Sequence, residues 1–203
     1  MYLFKSVLVM EKSQTLNRTP ELDLIVAAQQ GDIAAFKELY QTYRDKVYNL
    51  IFYLLGQTML AEDVLQIVFI KAYQALPSFR FQGRFISWLY RIAINECHDQ
   101  QKRLAAYVPL ETILGTGEEL DLNLAPDKVH AQGQRQEIIQ AALSQLSTNL
   151  REVVILKYLE GLSYEEIALV LDCSIGTVAS RLNRALTQLE KNLLPLKRFL
   201  LER

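Results

Sequence analysis

The polar side chains that follow Ser174 near the C-terminal end of the chain have the types and spacing of a surface that contacts DNA. They recur on one side of a helical segment whose other side is apolar. Arginine can pair bidentately with guanine edges or with phosphate, and the hydroxyls and amides of a helix N-terminus favour phosphate. The predicted duplex-contacting residues are Ser174, Thr177, Ser180, Arg181 and Arg184.

A helix-turn-helix must position these side chains, because two short amphipathic segments flank a tight turn in this part of the chain. Ser163 and Glu166 have the spacing of a capping box, so the first helix is predicted to begin at Ser163. Ala168 is small enough to let the second helix cross closely. Asp172 tolerates the left-handed backbone of the turn, and Ser174 can cap the second helix. The apolar face of that helix carries Val178, Leu182, Ala185 and Leu189.

A second set of candidate residues combines aromatic and basic side chains in the first half of the chain. Aromatic rings stack on unpaired bases and arginine follows the phosphates, so this set has the chemistry to hold an opened DNA strand. Aromatic stripes are also typical of hydrophobic cores, and the pattern leaves both interpretations open. The predicted single-strand residues are Phe79, Arg80, Arg84, Phe85, Trp88, Arg91 and Asn95.

The segment from Ala61 to Leu76 is apolar over nearly its whole circumference, which is unusual for a helix at the surface of a small domain. Part of it can fill the core of its own domain. The rest forms a mixed outer stripe that suits a protein interface, although isolated exposed apolar side chains are also common. The outer stripe consists of Asp63, Gln66, Ile67 and Ile70.

Several classes of function find no support in the sequence. There is no glycine-rich phosphate loop, nucleophile elbow or paired set of carboxylates, so neither an enzymatic activity nor a cofactor is expected. Cys97 and His98 are adjacent and therefore point to different sides of a helix. No second pair lies at ligand spacing, so no metal site is expected. No stretch reaches the roughly 20 apolar residues of a membrane span, and we expect no membrane insertion.

The 203 residues contain only 8 glycines and 5 prolines, and helical spacing dominates the remainder. We predict an all-α protein with two small helical domains joined by an acidic linker, the second being the helix-turn-helix domain. The predicted divisions are an N-terminal extension over 1–20, a first domain over 21–105, a linker over 106–133 and a second domain over 134–203. Met10 is a possible alternative start. Two cysteines without a convincing signal peptide favour the cytoplasm.

Four segments, in order, resemble the extracytoplasmic-function (ECF) sigma factors of bacterial RNA polymerase. They are AEDVLQIVFIKAY, FISWLYRIAINECHDQQKR, LREVVILKYLEGLSYEEIALVL and GTVASRLNRALTQL, and the resemblance covers roughly 21–194. It implies that 21–105 is sigma region 2 and 134–203 is sigma region 4. It also implies promoter DNA and core RNA polymerase as partners, and an anti-sigma factor that holds the chain inactive.

The resemblance further implies a role for each candidate set. The outer stripe would dock on the clamp helices of the polymerase largest subunit. The loop around Phe79–Phe85, with Trp88 and Asn95, would melt the −10 promoter element and capture a non-template base. The second helix of the helix-turn-helix would read the −35 element as duplex.

Two other interpretations stay open at this point. A two-domain transcription regulator of the LuxR kind would need a sensing pocket in its first domain, and nothing before Ala105 supplies one. Alternatively, the first domain is an adaptor that binds only protein and melts no DNA.

Overall fold

The computed structural model describes residues 19–80, 83–107 and 131–193 of the chain. Over these residues it consists of helices and contains no β-strand, which confirms the all-α prediction. The predicted N-terminal extension, with Met10, and most of the predicted linker lie outside the described residues. No helix in the described ranges is long and apolar enough to cross a membrane.

Four helices form the first domain: α1 (Pro20–Gln29), α2 (Ile33–Leu55), α3 (Thr58–Ala75) and α4 (Phe85–Tyr107). Asp32 caps α2 as predicted, because its carboxylate accepts hydrogen bonds from the backbone N–H groups of Ala34 and Ala35 at 2.8 and 3.1 Å. α2 ends at Gly56, whose φ of 76° is left-handed. A short 3₁₀ turn over Leu76–Ser78 follows α3, where Pro77 cannot continue the helix.

The core of the first domain lies where α2, α3 and α4 meet. The face of α3 that was predicted to point inward is buried, which leaves the outer stripe on the opposite side. Glu96 is a buried carboxylate on α4, and Lys71 on α3 donates a hydrogen bond to it. A buried charge requires such a partner. The inward-facing side chains of α3 are Val64, Leu65, Val68, Phe69 and Ala72.

The second domain contains α5 (Ala131–Ser144), α6 (Thr148–Val154), α7 (Tyr164–Val170) and α8 (Ile175–Leu193). α6 continues into a π-helical turn over Ile155–Leu159, in which the Glu160 N–H donates to the Ile155 carbonyl at 3.0 Å. Such turns hold one residue more than an α-helical turn and are found mostly at functional sites.

The two domains pack against each other, since α4 contacts α7 and α2 contacts both α6 and the π-helical turn. Their apolar residues form one continuous buried cluster. Cys97 on α4 is only 1% exposed, and burial, with the nearby charges of Glu152 and Glu96, raises the pKa of its thiol to about 12.

Candidate nucleic-acid and protein interfaces

The first helix of the helix-turn-helix begins at the predicted residue. The Ser163 hydroxyl accepts from the Glu166 N–H at 3.2 Å, and a Glu166 carboxylate oxygen accepts from the Ser163 N–H at 2.8 Å. Both halves of the predicted capping box are therefore present. The reciprocal bonds fix the start of α7 and so the angle at which the turn leaves it.

The turn between α7 and α8 has the predicted geometry. Asp172 has a φ of 50°, and it is the one residue other than glycine with positive φ in the described ranges. The Ser174 hydroxyl accepts from the Thr177 N–H at 3.0 Å and lies 2.8 Å from the Thr177 hydroxyl. Ser174 thus caps α8 as predicted. A contact of Ser174 or Thr177 with DNA remains a prediction.

Asp172→Gly is expected to stabilise the protein by about 0.5–1 kcal/mol. Left-handed backbone costs a residue with a Cβ about 1–2 kcal/mol, and glycine gives back only part of this gain through its greater freedom when unfolded. Gly161→Asp is the matched reverse change, because Gly161 has a φ of 69° and no atom lies within 4 Å of the position that a Cβ would take. It should destabilise by a similar amount. Urea unfolding checks both, and a loss of stability in Asp172→Gly would contradict the prediction.

α8 has a buried side and an outward side, as its sequence pattern indicates. Val178, Leu182 and Ala185 are buried against the rest of the domain. Of the predicted duplex-contacting arginines, Arg184 is exposed and its Nε donates to the Ser180 carbonyl at 3.3 Å, whereas Arg181 is half-buried. The outer surface of α8 consists of the exposed residues Ser180, Asn183, Arg184 and Thr187.

Asn183 and Thr187 belong to this outer surface and were not among the predicted residues. They lie seven and eleven positions after Gly176, and helical spacing alone could have placed them opposite the apolar face. Gln188, by contrast, donates through its side-chain amide to the Gln145 carbonyl at 2.9 Å. Its position on the sequence pattern is polar, but its side chain contacts the second domain.

The aromatic members of the predicted single-strand set are divided by the structure. Phe79 and Phe85 are 9% and 3% exposed, so in this conformation neither ring offers a face on which a base can stack. The two rings lie 5.4 Å apart, and both pack against Trp88, which is half-buried. Gln29 holds the backbone there, donating to the Phe79 carbonyl at 2.9 Å. Core packing, the alternative left open by the sequence, describes Phe79 and Phe85.

The polar members of this set lie at the surface. Arg80 and Arg84 are exposed in the loop between α3 and α4, and Arg91 and Asn95 are exposed on α4. Trp88, Arg91 and Asn95 follow one another at i, i+3 and i+7, so they share one side of the helix. Their contact with a DNA strand remains a prediction, with Trp88 as the aromatic ring nearest to solvent.

The outer stripe of α3 is at the surface, as the sequence pattern indicates. Asp63, Gln66 and Ile70 are exposed, Ile70 by 57%, and Ile67 is half-buried. Met59 and Tyr73 extend the same side of the helix and are 82% and 43% exposed. Met59 lies in the first helical turn, before the apolar pattern begins, and so gave no periodic signal.

His98 lies at the boundary between the domains. Its Nε2 shares a hydrogen bond with a carboxylate oxygen of Glu152, while the neighbouring Cys97 is buried. Within 19–80, 83–107 and 131–193 there is no group of three or more His, Cys, Asp or Glu side chains that could hold a metal ion.

Comparison with known proteins identifies the class. The family model described as Sigma-70 region 2 matches 39–106, and the model described as Sigma-70, region 4 matches 136–189. The first match covers most of α2 through α4, and the second covers the helix-turn-helix. A helical module followed by a helix-turn-helix, matched in this order, defines a sigma factor of the sigma-70 type.

Individual relatives give the family. The chain is 34% identical to an RNA polymerase sigma-H factor of Pseudomonas aeruginosa, over 90% of this chain and 98% of the relative. It is 35% identical to an ECF RNA polymerase sigma-E factor of Haemophilus influenzae, over 85% and 95%. A solved structure of the sigma factor RpoE with the anti-sigma factor NepR from Bartonella quintana superposes with a TM-score of 0.65 at 27% identity, covering 81% and 99%.

The chain therefore belongs to the ECF RNA polymerase sigma factor family, as its sequence motifs indicate. It is a sigma factor, and the alternative of a LuxR-like regulator is wrong. Sigma factors are non-enzymatic factors of transcription initiation.

Proposed function

We propose that this chain directs core RNA polymerase to promoters through two contacts with DNA and one with polymerase, and catalyses no reaction itself. The observation that carries the proposal is the outer surface of α8, where Arg184 is exposed on a helix-turn-helix whose cap and turn are fully formed. Work on the chromosome with polymerase places the protein in the cytoplasm.

The −35 element is read as duplex by α8. Its buried side fixes the helix on the second domain, and its outer surface presents hydroxyl, amide and guanidinium groups, which are the donors and acceptors suited to base edges and phosphates in a major groove. The capped N-terminus adds backbone N–H groups that favour phosphate. Ser174 acts here as a cap that positions the helix.

The −10 element is opened and held beside α4. Arg80, Arg84 and Arg91 supply positive charge along the phosphates, and Trp88 supplies an aromatic surface. Asn95 can donate to and accept from a base edge. Phe79 and Phe85 support Trp88 from below through ring contacts of 5.0 and 5.3 Å.

Polymerase binds the outer stripe of α3, where exposed apolar side chains are surrounded by polar ones. An interface of this composition is typical of protein–protein contacts. The polymerase element is the pair of clamp helices of the largest subunit. The Bartonella quintana RpoE structure contains an anti-sigma factor, and we propose a partner of this kind for the present chain as well.

Ile70→Glu is expected to weaken binding to core polymerase by about tenfold or more. The change places a charge that must lose its water in the middle of an apolar contact, and central interface residues carry most of the binding energy. Ile33→Glu is the matched control, because Ile33 is 72% exposed at the start of α2, away from the outer stripe. Titration of labelled core polymerase measures both, and equal affinity of the two variants would remove the outer stripe from the interface.

In vitro transcription with purified core polymerase, with and without this chain, tests the function as a whole. On a library of bacterial promoters, we expect initiation that depends on the chain at a defined subset, whose start sites then give both elements. Polymerase binding without initiation would favour the interpretation of the first domain as an adaptor. Duplex binding without any effect on polymerase would reject the proposal.

A further inference from the structure

Two glutamates of the second domain accept hydrogen bonds from α4 of the first. The Tyr90 hydroxyl donates to the Glu160 carboxylate, and His98 shares a hydrogen bond with Glu152. Glu152 is only 2% exposed, and burial raises the pKa of Glu160. Both carboxylates are held away from water at the domain boundary, where their partners come from the other domain.

Two arginines add contacts that cross the same boundary. Arg84, in the loop before α4, lies 3.4 Å from the Glu166 carboxylate. Arg151 of the second domain donates to the Leu54 carbonyl at the end of α2, at 2.9 Å. Glu166 also belongs to the capping box of α7, so the pair with Arg84 connects the helix-turn-helix to the predicted single-strand residues.

One stripe of α4 is covered by the second domain. Ile86 and Tyr90 line a cavity together with Leu159, Glu160 and Leu162 of the second domain, and the charge of Glu152 acts on Cys97. This stripe lies between the side of α4 that faces the domain's own core and the exposed side with Trp88. Separation of the domains would bring the stripe, including the Cys97 thiol, into contact with water.

The packed arrangement is too small for the two DNA contacts of the proposed function. Elements at −35 and −10 are centred about 25 base pairs apart, which is about 85 Å along B-DNA at 3.4 Å per base pair. A compact body of about 150 residues has a radius of gyration of about 15 Å and a diameter of about 40 Å. The residues 108–130 that connect the domains can reach up to about 80 Å of contour. Simultaneous binding is possible only after the domains separate.

We propose that the contact between the two domains is autoinhibitory: Glu152, Glu160 and Glu166 hold the second domain on α4, and the chain must open before it binds both promoter elements together. The inference rests on the proposed function. Arg84 pairs with Glu166 in the closed chain and is released to the DNA strand in the open one. Promoter DNA and Glu166 therefore compete for the same guanidinium.

Two variants open the chain without touching the residues proposed to bind DNA or polymerase. Tyr90→Phe removes the donor to Glu160 and leaves a buried carboxylate without it. Glu160→Lys places a cation in the cavity that Lys46 and Arg84 also line. Tyr43→Phe is the matched control, because it removes the same kind of hydrogen bond, from Tyr43 to Glu21, within the first domain.

Alkylation of Cys97 by iodoacetamide, followed by peptide mass spectrometry, reports opening in the full-length chain. We expect slow labelling in the wild type and in Tyr43→Phe, and labelling at least fivefold faster in both opening variants. The two cysteines lie far apart in sequence, so their peptides are distinguished without mutation. Wild-type Cys97 that labels as fast as in Tyr90→Phe would show that the closed arrangement does not protect it, and would overturn the proposal.

Binding without polymerase then tests inhibition, with a promoter found by the transcription assay. On a fork DNA that carries the −35 duplex and an unpaired −10 strand, the opening variants should bind about tenfold more tightly if the open fraction rises from about 10% to nearly all. On the −35 duplex alone, where α8 is already exposed, Tyr90→Phe should match the wild type. Faster labelling with unchanged fork affinity would overturn autoinhibition alone. No duplex binding by any chain would reject the proposed function, and autoinhibition with it.

Discussion

Arg184→Ala is expected to weaken binding to the −35 duplex by about 1–3 kcal/mol, or roughly 5- to 150-fold, with little change in stability. Arg184 is exposed on the outer surface of α8, and its one hydrogen bond within the protein, to the Ser180 carbonyl, is replaceable by water. Loss of a guanidinium that pairs with a base edge or a phosphate removes binding energy that the fold does not supply elsewhere. Fluorescence anisotropy with duplex DNA from a mapped promoter measures the change.

Two further substitutions make this result specific. Arg44→Ala removes the same charge from α2, where Arg44 lies 3.5 Å from Asp45, and it should leave duplex affinity nearly unchanged. Arg184→Lys keeps the charge but loses the planar fork of donors. Recovery with lysine would indicate a phosphate contact, and no recovery would indicate a base edge. Unchanged affinity and selectivity in Arg184→Ala would exclude Arg184 from the −35 contact.

Arg151→Ala is expected to destabilise the protein by about 2–4 kcal/mol, the largest stability effect that we predict for one residue. Its guanidinium donates to the carbonyls of Leu143, Ser144 and Leu146 at the end of α5, at 2.8, 2.9 and 3.1 Å. A fourth bond reaches Leu54 in the first domain. Burial lowers the pKa of Arg151, and its removal leaves four carbonyls without their charged donor.

Urea unfolding with the wild type as reference measures this loss. Arg151→Lys is the informative companion, because an ammonium group keeps the charge but cannot reach carbonyls on several sides of a planar fork. We expect it to recover less than half of the lost stability. A change below about 1 kcal/mol in Arg151→Ala would show that water replaces the guanidinium at these carbonyls.

The local features of this fold were readable from the sequence, because each rests on side chains a few residues apart. The capping box joins Ser163 to Glu166, the cap of α8 joins Ser174 to Thr177, and Asp172 has the left-handed backbone that its turn requires. The inward face of α3 follows in the same way from helical spacing. In all these cases, the interaction and its sequence signal lie within one or two helical turns.

Features that depend on a distant part of the chain were not readable. The ring of Phe85 is buried because Tyr43, far away in sequence, packs at 5.5 Å, and the periodicity of α4 contains no sign of this cover. The partners of Tyr90 and His98 are 70 and 54 residues away. Glutamate at such positions is usually solvated, so its burial against another domain left no pattern. The sequence therefore indicated two separate domains but not their contact.

The π-helical turn at the end of α6 makes the second domain sensitive to a count of residues. An α-helix advances about 100° per residue, so loss of the one extra residue in Ile155–Leu159 would rotate everything that follows by that angle. Glu160 would then point away from Tyr90, although every side chain between them could be retained. Within this segment, chain length itself carries information, and insertions and deletions are under a constraint that no comparison of residue types would reveal.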